Sequence, residues 1–309
     1  MFKNPKYLFL ILICLLFAYC NQKDKGGNRS ETILKGSVTV YVDETVMPIV
    51  EDEVTVFESR YDAKFKLVPK SESEALNFLF NGKNTIAILC RNLSKKELKI
   101  FEQRKIVPRI TKFATDAISF VSNKNSKDTL IALKDVIDFM KGGRNSAIKG
   151  LVFDNPNSST VNYMNDLAGL SKLAEKDIFS FKTNNEVLKF VSENNGMIGI
   201  VGVNWLSQPE PSMNSIIKNI TVLNVKGFEN DRFYGPTQNN LAEGKYPLVR
   251  SLYIVNCQGY SGLGMGFASF IAGDIGQRIV LKSGLLPVQI PARKLNIIRS
   301  QTKKEKINK

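Results

Sequence analysis

The chain has 309 residues, a formal net charge of +14 and no histidine. A chain of this length can bury one large core or two medium ones, so two lobes are the default expectation. The lack of histidine excludes Ser-His-Asp and Cys-His catalysis and most zinc sites.

The positive charge is concentrated at the two ends of the sequence. Residues 292–309 carry a net charge of +6 and residues 1–30 carry +4, which leaves only +4 for the body between them. A basic end on an exported protein is more often a solvated or surface-seeking tail than a reader of bases. We therefore expect no nucleic acid among the partners, and the mild excess in the body is compatible with an anionic ligand.

The first residues are typical of a secretory signal. Lys3 and Lys6 precede an apolar run that ends at Cys20 and is too short for an ordinary membrane span. A cysteine at this point is typical of a lipobox, although Tyr19 stands where a small residue is usual. We predict a lipoprotein signal peptide at 1–20, lipidation of Cys20, and a place in the cell envelope facing the periplasm or exterior.

Alternating strands and helices follow a predicted flexible tether at residues 21–35. Strands are expected at 37–43, 64–68 and 85–90, with helical spacing of apolar residues at 46–61 and 72–80. Such alternation favours an α/β lobe with a mainly parallel sheet. A polar turn follows the carboxyl end of each strand, where ligands of such sheets bind.

Two long apolar stretches are predicted to connect this lobe with a second one. Residues 107–122 would form a strand that leaves the first lobe, and residues 246–255 would return to it. Two crossings leave a cleft at the hinge, which suits closure around a small ligand. The other predicted elements are strands at 148–153, 197–202 and 220–225 and helices at 130–140, 158–167, 172–176, 184–193 and 265–283.

The sequence leaves the state of two cysteines open. Cys90 and Cys257 remain in the folded part once the signal and the lipidated residue are set aside, and each ends an apolar run. They could pair in an oxidising compartment or remain buried thiols. We favour two free thiols.

The stretch 150–164 is the most informative part of the sequence. A strand leads into the turn Asn155-Pro156-Asn157, then into three hydroxyl residues and the start of a helix. The first N–H groups of a helix have no internal partner and its dipole favours negative charge, while hydroxyls donate to further oxygens. This pattern predicts an oxyanion site. The competing interpretation is that Asn157 or Ser158 is simply an N-cap.

Five segments together resemble the phosphate-binding proteins that serve ABC importers, which have the type 2 periplasmic-binding fold. These segments are 42–48, 157–160, 194–202, 246–250 and 276–287, in the family's order. The resemblance covers most of the mature chain. It implies an α/β, two-lobed type 2 periplasmic-binding-protein fold, in which each lobe is a mainly parallel sheet flanked by helices and the cleft lies at the hinge.

We accordingly divide the chain into two discontinuous lobes and a tail. Lobe I is expected to comprise 36–115 and 228–291, and lobe II to comprise 116–227. Residues 292–309 form the basic C-terminal tail.

The resemblance implies a phosphate site drawn from both lobes. Thr45, Ser158 and Thr160 keep hydroxyls that family members use to bind phosphate, and Ser71 takes the place of a serine with the same role. The full expected set is Glu44, Thr45, Ser71, Arg91, Asp154, Asn157, Ser158, Ser159 and Thr160.

Two charged positions depart from the family pattern in opposite directions. Arg91 stands where an aspartate usually accepts the proton of monohydrogen phosphate, and Asp154 stands where an arginine is usual. We hypothesise that they are an exchanged ion pair across the cleft, with Arg91 supplying a bidentate fork to the oxyanion. Asp154 or Glu44 would then accept the phosphate proton and reject sulfate. The alternative is that Arg91 is a surface residue starting a helix and Asp154 a turn residue.

The expected function is an extracytoplasmic, lipid-anchored solute-binding protein that captures inorganic phosphate and delivers it to an ABC importer. Its partners would be phosphate, the ABC permease subunits and the membrane. The alternatives are a binder of another oxyanion or small anion, such as molybdate, sulfate or an organic anion, and a surface lipoprotein with an adhesion or accessory role. We expect no cofactor, no metal and no enzyme, because a hydrolase without histidine would need a metal cluster of carboxylates.

Overall fold

The structure, a computed structural model, describes residues 31–291 with the exception of 83, 174, 175 and 230. The predicted signal peptide with Cys20, most of the predicted tether and the basic tail lie outside the described residues. In the part that is described, none of the helices combines the length and the apolar character needed to cross a membrane.

Strands and helices alternate along the described chain. The strands are β1 (Gly36–Asp43), β2 (Ala63–Lys70), β3 (Ile86–Leu89), β4 (Arg109–Asn123), β5 (Leu130–Ala132), β6 (Gly150–Phe153), β7 (Ile178–Ser180), β8 (Met197–Gly202), β9 (Ile220–Val222), β10 (Asn224–Lys226), β11 (Phe233–Tyr234), β12 (Val249–Asn256) and β13 (Leu286–Pro287). The helices are α1 (Met47–Arg60), α2 (Glu72–Asn81), α3 (Lys95–Gln103), α4 (Leu133–Met140), α5 (Ser159–Ala168), α6 (Asn184–Glu193), α7 (Asn204–Ser207), α8 (Asn214–Ile217), α9 (Gln238–Ala242), α10 (Leu263–Ala272) and α11 (Asp274–Lys282).

One long strand, β4, is shared by the two lobes. The main sheet has the order β2-β1-β3-β12-β4-β8-β6-β7. Residues 109–117 of β4 pair with β12, and residues 118–122 pair with β8. Lobe I therefore contains β1, β2, β3, β12 and the first part of β4, and lobe II contains the second part with β6 to β9. The two-lobed α/β fold class is confirmed, while the division at residues 116 and 228 stays a prediction.

Parallel pairing brings the polar turns of each lobe to one edge. In lobe I, β1 is parallel to both β2 and β3, so their carboxyl ends lie together. In lobe II, β6 is parallel to β7 and β8. The residues that follow these strands therefore face one another across the space between the lobes.

Aromatic packing fixes α1 against the sheet of lobe I. The Phe57 ring meets Phe65, Phe267 and Phe270 edge-on, at centroid distances of 5.3, 5.7 and 5.2 Å. Edge-to-face pairs contribute about 0.5–1.5 kcal/mol each beyond the area that they bury. Because α1 follows directly from the turn after β1, this packing also fixes that turn.

Close packing in lobe II requires a glycine in β8. A Cβ added at Gly199 would lie 2.8 Å from Cγ2 of Val121 and 2.9 Å from Cγ2 of Val191. These distances are shorter than real Cβ contacts, so a side chain here would push α6 away from the sheet. A glycine in a strand interior is typical of such a close approach.

Three predicted helices differ from the structure. The helix expected at 130–140 begins only at Leu133, because 130–132 pair with β10 instead. The helix expected at 265–283 is divided into α10 and α11 at Gly273, whose backbone is extended. No helix is formed at 172, 173 and 176, the described residues of the region expected to be helical at 172–176. In the first case, strand pairing outweighed local helical spacing.

Candidate functional site

Polar side chains from both lobes meet at the carboxyl ends of the strands. Thr45 follows β1, Cys90 follows β3, and Ser159 opens α5 after β6. Thr45 Oγ1 lies 3.0 Å from Ser159 Oγ and 3.3 Å from Cys90 Sγ. The lobes are therefore in contact at this point, and the Thr45 and Ser159 hydroxyls are buried.

A buried arginine that the sequence analysis did not single out lies beside these hydroxyls. Arg250, in β12, is 5% exposed. Its Nη1 donates to Ser159 Oγ at 2.8 Å and to Thr160 Oγ1 at 3.2 Å. Its Nε donates to Asp116 Oδ2 at 2.9 Å, and Nη2 lies 2.8 Å from the same oxygen. Asp116 thus holds the guanidinium with one amino group directed at α5.

The sequence did contain a signal for this pair. Arg250 and Asp116 lie in the two stretches that were predicted to cross between the lobes. They are direct partners in the antiparallel register of β12 and β4. A buried charge requires a partner of opposite sign, so the pairing of these two residues could have been predicted from the sequence.

Electrostatics keep Arg250 charged. Burial alone would lower the pKa of its guanidinium, but the carboxylates of Asp116 and Asp43 raise the pKa above its usual value. Burial also raises the pKa of the Cys90 thiol, which is therefore neutral. Cys90 and Cys257 are both free and buried, so the open question of their pairing is answered in favour of thiols.

The hydroxyls form a hydrogen-bonded chain from Arg250 to Asp43. Thr45 Oγ1 donates to Asp43 Oδ1 at 2.9 Å, so it must accept from its other partners. The direction is then Arg250 to Ser159, Ser159 to Thr45, and Thr45 to Asp43, from cation to anion. The chain passes from lobe I to lobe II and back.

Asp43 retains one buried oxygen outside this chain. Its Oδ1 accepts from the backbone N and the hydroxyl of Thr45, at 3.1 and 2.9 Å. Its Oδ2 has no hydrogen-bond partner among the described residues, although the side chain is fully buried. A buried acceptor without a donor is costly. A donor brought by a ligand would satisfy it.

A single amide joins two acids of opposite lobes. Asn184 Nδ2 donates to Glu44 Oε2 at 2.8 Å and to Asp154 Oδ2 at 3.2 Å. The other oxygen of Asp154 accepts from Ser158 Oγ at 2.5 Å. A second link between the lobes is close by, since Trp205 Nε1 donates to the Thr45 carbonyl at 2.8 Å.

The pKa values of both acids are raised into the neutral range. Burial raises the pKa of Glu44 to about 8, and the Asp154 carboxylate adds to the rise while Asn184 opposes it. Burial also raises the pKa of Asp154 to about 7, against the hydrogen bond from Ser158 and with a further rise from Asp43. A protonated carboxyl can donate a hydrogen bond, so at neutral pH these two groups are not simple negative charges.

Arg91 does not form the expected ion pair with Asp154. Its Nη1 and Nη2 make a bidentate contact with Glu97 at 2.9 and 2.8 Å, and its Nε donates to Glu72 at 2.9 Å. The side chain is 40% exposed. Glu72 and Glu97 lie in lobe I near the end of β3, where the Arg91 guanidinium reaches them. Asp154 instead accepts hydrogen bonds from Ser158 and Asn184. The hypothesis of an exchanged ion pair between Arg91 and Asp154 is therefore wrong. The cation that faces α5 is Arg250.

Two of the other expected hydroxyl residues cap the amino ends of helices. Ser71 is the N-cap of α2 and donates to Glu74 Oε2 at 3.0 Å. Ser158 is the N-cap of α5 and accepts from the Val161 backbone N at 3.2 Å, as the competing interpretation predicted. The Asn157 side chain is exposed.

A cavity of about 200 Å³ opens beside this closed set of hydroxyls. Residues of both lobes line it, among them Glu44, Ser71 and Ser158 together with Lys70 and Lys182. The structure thus places six of the expected residues in two groups, with Thr45, Ser159 and Thr160 beside Arg250 and Glu44, Ser71 and Ser158 around this cavity. Asp154, Arg91 and Asn157 belong to neither group. Within the described ranges, no three His, Cys, Asp or Glu side chains are arranged to hold a metal ion.

Comparison with known proteins places this architecture in a family. Residues 27–274 match the family model of the PBP superfamily domain. No curated protein matches the chain.

Several solved structures share the fold at low sequence identity. One is a Clostridium perfringens protein assigned as a phosphate ABC-transporter substrate-binding protein and solved with phosphate bound. It has a TM-score of 0.67 and 20% identity over 82% of this chain and 100% of that one. An ABC-type phosphate transport receptor from Vibrio cholerae has a TM-score of 0.60 and 16% identity, over 82% and 100%. PstS from Borrelia burgdorferi has a TM-score of 0.50 and 24% identity, over 83% of this chain and 100% of that one. Since the family model covers most of the chain, this protein belongs to the PBP superfamily.

Proposed function

We propose that this protein is an extracytoplasmic, lipid-anchored solute-binding protein that captures inorganic phosphate between its lobes and delivers it to an ABC importer. The observation that carries the proposal is that hydroxyls of both lobes meet beside one buried cation. Thr45 comes from lobe I, Ser159 and Thr160 from lobe II, and Arg250 contacts both of the latter. The phosphate bound in the Clostridium perfringens relative and the transport role of the Vibrio cholerae receptor support this ligand and this partner.

Phosphate would replace the contact between the lobes. Thr45 and Ser159 lie 3.0 Å apart, so the lobes must separate to admit an anion and then close on it. The hydroxyls, Arg250 Nη1 and the first backbone N–H groups of α5 would donate to its oxygens. Charge-assisted bonds are short and strong, and closure excludes the water that would weaken them.

Asp43 is the best candidate for the acceptor of the phosphate proton. Its Oδ2 is buried and has no partner in the described part of the chain, whereas Glu44 and Asp154 share Asn184 and have raised pKa values. Monohydrogen phosphate brings a donor to this oxygen, and sulfate brings none. The unpaired acid would therefore discriminate against sulfate.

Direct roles for the remaining expected residues are also proposals. Glu44 and Asp154 would donate to phosphate in their protonated forms, while Ser71 and Ser158 would guide it through the cavity that they line. Arg91 would have to leave Glu72 and Glu97 to reach the ligand.

A second candidate is a binder of another oxyanion. The observation in its favour is the acid Asp154, which lies near the start of α5 where the resemblance implied an arginine. If its proton is retained, the site offers donors to an anion that carries no proton of its own.

Titration of the purified protein with phosphate tests the proposal. Trp205, the single tryptophan, bonds across the lobes and should report closure by its fluorescence. We expect a saturable response to phosphate. A response only to molybdate, sulfate or an organic anion would favour the second candidate. No response to any of them would favour an adhesion or accessory lipoprotein.

A matched pair of serine variants tests the site itself. Ser159→Ala removes the hydroxyl that accepts a hydrogen bond from Arg250 and contacts Thr45. We expect phosphate affinity to fall about 10- to 100-fold. Ser119→Ala is the control, because Ser119 is also fully buried but lies within β4. Equal affinities of the two variants would contradict the proposed site.

A further inference from the structure

The far end of lobe I carries a cavity that the proposed site does not use. It has a volume of about 470 Å³, and Lys105, Ile106, Val107, Arg109 and Gln258 are among its lining residues. It lies where β3 and β4 begin and β12 ends. Arg250 is near the other end of β12, about 20 Å away along the strand. This cavity and the cleft are thus at opposite edges of the same sheet.

The chain enters lobe I beside this cavity. Glu31, the first described residue, accepts hydrogen bonds from Gln258 Nε2 at 3.0 Å, Tyr260 Oη at 3.1 Å and the Leu263 backbone N at 2.7 Å. These contacts fix the point at which the preceding residues arrive. Residues 21–30 can span at most about 36 Å even when fully extended. A lipid on Cys20 would therefore keep this end of lobe I close to the bilayer.

The rim of the cavity has the composition of a surface that contacts anionic lipid. The Val107 side chain is 83% exposed. Lys105 and Arg109 flank it and are exposed. No ion pair of either cation occurs among the residues that the structure describes. Exposed apolar side chains enter the interfacial region of a bilayer, and the negative potential of anionic lipids attracts the basic residues around them.

We propose that this face, defined by Lys105, Val107 and Arg109, docks on the anionic phospholipid surface of the membrane that holds the anchor. The inference rests on the proposed lipidation of Cys20. In the docked orientation the cleft, at the opposite edge of the sheet, is held away from the bilayer and open to solute. Delivery to a permease in the same membrane would then require the protein to leave this surface and turn.

Tryptophan quenching in vesicles tests the orientation. The full lipidated protein is reconstituted in vesicles of phosphatidylcholine and phosphatidylglycerol with brominated acyl chains. Val107→Trp places a probe on the proposed face, and Ser146→Trp places one on an exposed residue of lobe II. We expect quenching of the Val107→Trp protein beyond the Trp205 background and none of the Ser146→Trp protein. Equal quenching, or quenching of neither, would overturn the inference.

Charge reversal tests the contribution of the two cations. Lys105→Glu with Arg109→Glu should reduce quenching of the Val107→Trp protein to the level of the Ser146→Trp control. Lys189→Glu with Lys218→Glu makes the same change of net charge at two exposed lysines of lobe II and should leave quenching unchanged. If both double variants lose quenching equally, net charge alone explains the attraction and the proposed face is wrong.

Separate measurements distinguish this inference from the proposed function. Phosphate titration of the Lys105→Glu, Arg109→Glu protein should match wild type, because these residues are remote from the cleft. The mass of the mature protein shows whether Cys20 is acylated. An unacylated protein would overturn the docking inference without affecting phosphate capture, and an acylated protein that binds no phosphate would do the reverse.

Discussion

At the scale of single residues, the site depends on how protons are placed in a buried group of acids. Asp43 is fully buried, and it lies close enough to Glu44 and Asp154 to raise the pKa of both. Arg250 and its partner Asp116 form a buried ion pair at the contact of the lobes. The protons on Glu44 and Asp154 therefore decide whether this region repels an anion or donates to it.

Asp43→Asn should change the choice of ligand. The amide has nearly the same shape but can donate where the carboxylate could only accept. We expect phosphate affinity to fall on the order of 100-fold and sulfate affinity to rise. Titration with both anions measures the change, with Asp52→Asn, an acid of α1 outside the inner set, as the control. Unchanged preference in the Asp43 variant would remove this residue from the site.

The raised pKa of Glu44 predicts that the free energy of unfolding falls as pH rises from about 4.5 to about 8. The folded protein keeps this proton up to about pH 8, while the unfolded chain releases it near 4.5. Between these values the folded state binds more protons, so the free energy of unfolding falls as pH rises, by up to about 1.4 kcal/mol per pH unit for one group.

Glu44→Gln should reduce the pH dependence of the free energy of unfolding by the contribution of one titrating group. Urea unfolding from pH 5 to pH 9 measures it. Asp154, whose pKa is raised to about 7, should still contribute in the variant. Glu97→Gln is the control, because Arg91 and Ser94 lower the pKa of Glu97 against its burial, and its contribution is lost at acidic pH instead. Parallel pH profiles for wild type and Glu44→Gln would contradict the predicted protonation.

At the scale of elements, the start of α5 serves two purposes. The Ser158 hydroxyl caps the helix by accepting from the Val161 backbone N, and it donates its proton to Asp154. Ser159 and Thr160, one and two residues later, receive Arg250. The N-cap interpretation is thus confirmed for Ser158, while the oxyanion interpretation stays a prediction that involves the adjacent Ser159 and Thr160.

A comparison of two N-caps separates these purposes. Ser94→Ala removes the cap of α3 and should cost about 1 kcal/mol of unfolding free energy. Ser158→Ala should lower the unfolding free energy by the same amount plus about 1–3 kcal/mol, because the buried Asp154 carboxyl loses a hydrogen-bond donor. Urea unfolding measures both, and phosphate titration should show weaker binding only for Ser158→Ala. If both variants bind phosphate like wild type, Ser158 is a cap and nothing more.

The sequence predicted elements better than contacts. Apolar periodicity located most strands and helices, because burial of one face is a local property of the chain. The short β5 was missed because its partner β10 is far away in sequence and contributes the deciding hydrogen bonds. Arg91 was assigned to the cleft from its position after β3, but nothing in its neighbourhood revealed that Glu72 and Glu97 would hold it. Arg250 was overlooked because its role depends on a register between distant strands.

At the scale of the whole molecule, closure without ligand is held by a few polar links between lobes. The Asn184 amide reaches Glu44 across the cleft, and Trp205 reaches the carbonyl of Thr45. These links compete with ligand entry, because they must break before an anion can reach Arg250. Their strength therefore sets part of the cost of capture.

Asn184→Ala should shift the ligand-free protein toward an open form. The variant leaves Glu44 and Asp154 without the amide that joins them, so closure loses hydrogen bonds and gains repulsion at high pH. We expect a larger radius of gyration in solution scattering, which phosphate should reduce again. Asn185→Ala is the control, because its amide bonds to Glu210 instead. Identical scattering from both variants would show that this link does not hold the lobes.

The shared strand β4 has a consequence for the order in which the protein is built. The strands of lobe II, from the second part of β4 to β9, lie within 118–222, whereas lobe I needs β12 at 249–256 between β3 and β4. Contacts between distant segments form late, so a chain delivered from its amino end can complete lobe II while lobe I still lacks an inner strand. Arg250 arrives with that strand. An unfinished chain thus lacks the cation that bonds to Ser159 and Thr160, and under the proposed function it would not compete with mature copies for phosphate.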